Sequence, residues 1–370
     1  MKYIDFKDKK ISLLSFGLMR LPVVANSKDI DYELGAKMID YAIQNGVNYF
    51  DTAWFYHEYK SENFVGSVLS KYPRNSYYLA DKIPMWEVNS LDDAKKLFHA
   101  QLDKCKTTYF DFYLVHALND KSFTKYLDLK VHTYLLELKK LGYIKHLGFS
   151  FHDKPPILQK IIDFYDWEFC QLQINYYDWY EYLSKEQYQI ARKAKLPIII
   201  MEPVRGGMLA NLNDEQVNIF RSINPSLSSA AWGLKYCFNL DGVLTVLSGM
   251  SNFEHVTDNI NTINNFNFLS SSELNAIDKV TDLLRRSDYI ACTNCRYCLP
   301  CTEDIDIPKA FDFYNKYRKT LQQKQFMIDI DTLTPLNNCS ACGMCEPKCP
   351  QKLEIIKLLK KVNNTLSLFK

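Results

Sequence analysis

The turn after the first apolar run reads Gly-Leu-Met-Arg-Leu-Pro at positions 17–22. A doubly wound dinucleotide-binding sheet needs a glycine fingerprint there, because the backbone must turn tightly and approach a pyrophosphate. These six residues lack it. Short apolar runs recur at Leu13–Leu18, Val47–Thr52, Tyr77–Asp81, Phe110–His116, His146–Ser150, Phe169–Asn175, Pro197–Glu202 and Val243–Ser248. Segments of helical period lie between them. One puts Leu34, Met38, Ile39 and Ala42 on a single face, and another does so with Leu91, Ala94, Leu97, Phe98 and Leu102. Gly46, Gly142 and Gly242 stand where helix C-caps are expected. Pro155 and Pro156 open the helix after the fifth strand, and a helix over Asn63–Ser70 follows the second. Strands written as single apolar runs are covered on both faces. Eight of them, each followed by a helix, predict a closed parallel (β/α)8 barrel over the doubly wound alternative.

A helix over Ser271–Arg286 ends this unit, and the composition then changes. The expected division is a barrel at 1–286 and a small, mainly α-helical second domain at 287–370, with a helical segment at Pro308–Gln325. Hydrophobic residues make up 47% of the 370 and charged residues 24%, which excludes wholesale disorder. The net charge of +2 gives no electrostatic case for nucleic acid or a membrane surface. No apolar run approaches the ~18 residues of a spanning helix. Lys2 to Lys10 alternates in charge rather than forming the apolar core of a secretion signal. A soluble cytoplasmic protein is expected.

Three of the eleven cysteines, Cys105, Cys170 and Cys237, are scattered and read as core; the other eight crowd into 292–349. Such clustering in a cytoplasmic chain points to metal ligands. The run Cys339-x2-Cys342-x2-Cys345-x3-Cys349-Pro350 is the bacterial ferredoxin pattern. The run Cys292-x2-Cys295-x2-Cys298-x2-Cys301 has a shorter last spacing, and Thr302 stands where Pro is common. In two-cluster ferredoxins the fourth cysteine of each run ligates the other cluster. One 4Fe-4S cluster is therefore expected on Cys292, Cys295, Cys298 and Cys349, the other on Cys339, Cys342, Cys345 and Cys301. Structural zinc is the plainer alternative, but four-membered runs fit cubanes better.

Barrel enzymes work at the C-terminal ends of their strands. Those ends carry Asp51, Lys82 and His116, with Tyr56 five residues beyond Asp51. Singly, each has an ordinary explanation in capping, snorkelling or packing. Together they form a convergent polar cluster where this fold puts its chemistry. A Lys cation beside a phenol favours phenolate, so the Tyr pKa is expected to fall toward working pH. Asp51 would keep Lys82 charged, and His116 would orient a substrate oxygen. These parts suffice to protonate an alkoxide as a hydride arrives.

Asn-Tyr-Phe-Asp-Thr-Ala-Trp-Phe-Tyr (48–56), Leu-Ala-Asp-Lys (79–82) and Phe-Tyr-Leu-Val-His (112–116) are similar, in order and spacing, to the tetrad segments of the aldo/keto reductase family. The resemblance covers about residues 1–285. It implies Tyr56 as general acid/base, Lys82 and Asp51 as its tuning pair, His116 as the carbonyl-orienting residue, and NAD(P)H as hydride donor. It also implies that Ser150 and Gln171 bind the nicotinamide carboxamide, with Met201 where many members place an aromatic ring. Pro203, Arg205 and Gly206 would approach the pyrophosphate, and Gly249, Met250, Ser251, His255 and Asn259 would line the adenosine side. Gly249 and His255 replace the Lys and Arg that usually grip a 2′-phosphate, which leaves the choice between NAD and NADP open, with Arg205 as a compensating cation. The tail resembles the two-cluster extension of a subfamily of these reductases.

The expected function is an NAD(P)H-linked oxidoreductase acting on a small-molecule carbonyl or alcohol, with two 4Fe-4S clusters for electron transfer. The alternative is an electron-transfer or redox-sensing protein whose barrel is a platform for a cofactor or a redox partner protein. Nicotinamide moves two electrons as hydride, whereas a cubane cycles one at a time. Three routes stay open: a flavin at the barrel mouth, for which no motif is present, a substrate that accepts single electrons, or clusters outside turnover. Trp54, Phe55, Trp86, Phe151 and Tyr177 would shape an apolar pocket, or simply pack.

Overall fold

In the computed structural model, residues 1–25, 27–320 and 335–367 are described. Two short strands, β1 (Tyr3–Phe6) and β2 (Lys9–Ser12), pair as an antiparallel hairpin. Eight parallel strands follow: β3 (Leu14–Gly17), β4 (Tyr49–Asp51), β5 (Tyr78–Pro84), β6 (Phe110–Leu118), β7 (Ile144–Phe151), β8 (Cys170–Gln173), β9 (Ile198–Met201) and β10 (Val243–Gly249). They close into a barrel, with β10 pairing back onto β3. All eight overlap the expected apolar runs. Gly46, Gly142 and Gly242 have φ of +90°, +85° and +71°, the left-handed conformation a helix C-terminus needs and side chains resist.

The hairpin is a departure from the sequence reading. Its alternating charges gave no strand reading, yet Phe6 and Ile11 are buried with Tyr49, Phe112, Phe169 and Leu244 inside the barrel. Lys7, at the hairpin turn, pairs with Glu168, which also accepts from His146 Nδ1 at 2.9 Å.

Strand periodicity sets the site. Tyr49, Ala80 and Leu114 face the barrel interior, whereas Phe50, Leu79 and Tyr113 pack outward. Side chains two residues on return to the same face, which carries Asp51, Lys82 and His116 into the interior at the C-terminal end. β5 and β6 run on to Pro84 and Leu118, so Lys82 and His116 lie within strands rather than just beyond them.

Compactness divides the chain into two units, one of Met1–Pro203 with Ala231–Ser270, the other of Val204–Ala230 with Ser271–Lys370. In the second unit, helix Asp214–Ile223 packs on helix Ser271–Arg286. A separate apolar core gathers Ile290, Ile305, Phe311, Tyr314, Ile355 and Leu359. Helices Ile307–Thr320 and Ile355–Ser367 build this core. Positions 321–325 of the expected helix lie outside the described residues. Among the described residues, no helix is long and apolar enough to cross a membrane.

Candidate functional site

Lys82 is fully buried, and its ammonium has three protons to place. Nζ lies 2.5 Å from Asp51 Oδ1, 2.8 Å from the Thr52 carbonyl and 3.3 Å from the Tyr56 hydroxyl oxygen. All three donors are used. Because the Tyr56 oxygen accepts from Lys82, the phenol keeps its own proton to give elsewhere. His116 meets the Tyr56 ring edge-on, with centroids 6.1 Å apart. Tyr56 is brought there by a tight return of the chain: its amide bonds Ala53 O at 3.1 Å, and its carbonyl accepts from Ser61 at 3.2 Å. All four expected tetrad residues thus stand together.

One expectation is corrected. The Tyr56 phenol is pushed well above its ordinary pKa, first by burial, then by the charges of Asp51 and Glu202; Arg20 opposes this. Phenolate is costly in so dry a place, and Asp51 offsets the cation that was expected to favour it. Burial, followed by Lys82, holds His116 well below the usual histidine range, hence neutral. Asp51 is raised by burial against the pull of Lys82.

Arg20 and Glu202, absent from the predicted set, form an ion pair at 3.0 Å. Both sit at strand ends, Arg20 inside the 17–22 turn itself, and a charged residue in so apolar a turn was the available signal. Trp86 lies 4.9 Å from His116 by ring centroids and remains 43% exposed. Trp54 and Phe55 both pack edge-on to Tyr59. Phe151 is buried core, and Tyr177 is half-buried.

The expected cofactor residues divide. Ser150 and Gln171 are register partners on β7 and β8. The Ser150 hydroxyl accepts from the Ala117 amide at 2.7 Å, and Gln171 Nε2 points at Met201 Sδ, 3.4 Å away. Gln171 Oε1 is buried without a hydrogen-bond partner among the described residues. On the loop after β10, Asn252 caps helix Phe253–Asn264 through the His255 amide, and His255 Nδ1 accepts from Ser251. Asn259 Nδ2 bonds Ser248 Oγ at 2.8 Å, Met250 is buried, and a Cβ on Gly249 would meet Arg20 Cδ at 3.0 Å.

Pro203 belongs to the first unit, whereas Arg205 and Gly206 belong to the second. Arg205, Gly206 and Gly207 are all left-handed, with φ of 50°, 64° and 95°. Arg205 is fully buried, its guanidinium 3.5 Å from Gln351 Oε1. A Cβ on Gly206 would sit 2.3 Å from Thr293 O, so only glycine fits this approach.

In the second unit, Cys292, Cys295, Cys298 and Cys349 line one cavity together with Thr293 and Gln351. Cys345 lies near both Cys339 and Cys342. Cys342 Sγ is 3.6 Å from Thr302 Oγ1, beside Cys301 in sequence. Backbone amides of Asn294 and Glu303 point at Cys292 and Cys301 sulfurs, at 3.4 and 3.5 Å. Among the described residues, no three His, Cys, Asp or Glu side chains converge as a single-ion site would require. Cys105, Cys170 and Cys237 are buried in the barrel unit.

Residues 13–282 match the aldo/keto reductase family, and residues 291–354 match the 4Fe-4S dicluster domain. The uncharacterized oxidoreductase YqkF of Bacillus subtilis is 25% identical over 309 residues, 74% of this chain and 94% of that protein. Among solved structures, the aldo-keto reductase AKR11C1 from Bacillus halodurans in its holo form superposes with a TM-score of 0.63 at 23% identity, over 76% of this chain and 96% of that one. An aldo/keto reductase from Klebsiella pneumoniae in complex with NADP and acetate gives 0.62 at 20% identity, over 76% and 95%. The structural likenesses establish the fold.

Lys82→Met leaves Asp51 as a buried, unpaired carboxylate and is expected to cost about 3–5 kcal/mol. Adding Asp51→Asn recovers most of that loss, as urea unfolding of the two variants will show. A double variant no more stable than Lys82→Met would contradict the pairing.

Proposed function

Because the chain belongs to the aldo/keto reductase family and carries a 4Fe-4S dicluster domain, we propose that it reduces a small-molecule carbonyl with NAD(P)H, Tyr56 giving the proton. The observation that carries this reading is the Lys82 ammonium shared between Asp51 and the Tyr56 oxygen. A docking or sensing platform has no use for a buried ammonium beside a phenol.

The residues divide the work. Neutral His116 donates a hydrogen bond to the carbonyl oxygen and sets its direction. Tyr56, held protonated, passes its proton to that oxygen as negative charge develops there. The phenolate left behind is met by Lys82, 3.3 Å away, which Asp51 keeps charged and in place. Burial excludes water from the transfer. When bound, the nicotinamide supplies the hydride to the carbonyl carbon. The unpartnered Gln171 Oε1 beside Ser150 is an acceptor suited to its carboxamide. Trp86, exposed next to His116, supports an apolar or aromatic-tolerant substrate.

The thiol cavity supports a cubane on Cys292, Cys295, Cys298 and Cys349. The remaining set, Cys339, Cys342, Cys345 and Cys301, would hold the second. Each cluster supplies one-electron chemistry, and the N–H···S contacts at Cys292 and Cys301 would favour its reduced form.

Two outcomes are expected. Tyr56→Phe lowers kcat by about 10²–10⁴-fold while cofactor Kd stays nearly unchanged; turnover at the parent rate would end the proton-donor assignment. Anaerobically purified protein carries about eight iron per chain, and Cys349→Ala loses about four, by iron and sulfide analysis. Zinc at two per chain would overturn the cluster assignment.

A further inference from the structure

On the outer face of β5, behind Lys82, lies a second group of ionisable side chains that the proposed reaction leaves unused. Asp81 on β5 and Glu62 on helix Ser61–Val68 are both fully buried. Asp81 Oδ1 accepts from the Lys82 amide at 2.8 Å, and Cys105 Sγ lies 3.8 Å from Oδ2. Glu62 accepts from Lys104 Nζ and from Gln101 Nε2, each at 3.0 Å. Gln101 also donates to the Lys82 carbonyl at 2.9 Å and is itself held by the Tyr113 hydroxyl at 2.5 Å. Both backbone polar groups of Lys82 therefore bear on this cluster.

Two buried carboxyl groups face one ammonium, so one of them keeps a proton. Glu62 has the Lys104 ammonium bonded to it, whereas the Lys82 ammonium near Asp81 is turned to Asp51, so Asp81 is the group that would hold the proton. The titration directions agree: burial raises both groups, and the Glu62 charge raises Asp81 further.

Lys104 also reaches the catalytic loop. Its ammonium sits 3.6 Å over the Trp54 ring and 3.5 Å from Tyr59 O. Trp54 and Tyr59 bracket Tyr56, and the loop holds three consecutive left-handed residues, His57, Glu58 and Tyr59, with φ of 51°, 53° and 69°. Side chains disfavour that conformation, so the surroundings must impose it. Gly66 permits the approach: a Cβ there would lie 2.1 Å from Lys104 O.

We propose that Lys104, backed by Glu62 and Asp81, is the positioning unit of this site. Its ammonium straps the Tyr56 loop from outside the barrel, while the acid pair and Gln101 fix the Lys82 backbone. The inference rests on the reading of Tyr56 as proton donor and extends it to residues that touch neither substrate nor cofactor.

Lys104→Met is expected to lower kcat about 10–100-fold with cofactor Kd unchanged. Lys104→Arg, which restores a cation over Trp54, recovers most of the loss. Lys104→Gln keeps a donor to Glu62 without the charge; it is the second variant should the Met form fold poorly, and it loses turnover likewise. Infrared difference spectra at neutral pH should show a protonated-carboxyl stretch in the parent that disappears in Asp81→Asn. Parent-like turnover in both uncharged Lys104 variants, or no carboxyl band lost in Asp81→Asn, overturns the proposal. Tyr56→Phe is assayed alongside. If it turns over at the parent rate, the proton-donor reading fails, and the infrared band still decides the acid pair independently.

Discussion

A lysine ammonium buried at the mouth of the barrel imposes the constraint on which the site depends. Removing such a charge from water costs several kcal/mol unless every proton finds an acceptor. Lys82 meets that demand with the Asp51 carboxylate, the Thr52 carbonyl and the Tyr56 oxygen. The strand pleat does most of the placement, since Asp51 and Lys82 follow Tyr49 and Ala80 by one side-chain period on the interior face. Tyr56 must then be folded back by the loop, and that loop is strained.

This constraint changes the meaning of the phenol. Considered alone, a cation beside Tyr56 makes it more acidic. In the folded site, burial and the Asp51 and Glu202 charges win, and the phenol resists ionisation. The raised pKa makes Tyr56 a group that stabilises the fold in its protonated form; that contribution is present below ~10 and is lost as pH rises through the folded value.

The convergence of Asp51, Tyr56, Lys82 and His116 was legible because it is written in strand periodicity, and the eight clustered cysteines of 292–349 because thiol spacing is a local property. The hairpin was not, since Phe6 and Ile11 are hidden among charges and only the open end of the barrel gives them a place to bury. The surroundings of Arg205 and Gly206 were not legible either, because Gln351 and Thr293, which meet them, lie nearly 150 and 90 positions away. Glu62 and Lys104 sit on different helices, 42 positions apart, and only the close passage allowed by Gly66 joins them. Local spacing showed which groups are present; long-range packing decided which of them meet.

The protonation state of Tyr56 tests the central claim most directly. In protein carrying 13C-labelled tyrosine, the resonance missing from Tyr56→Phe is followed as pH is raised. The account predicts that it keeps the shift of a neutral phenol beyond ~10, where exposed tyrosines have titrated. A Tyr56 phenolate appearing below that point would contradict it.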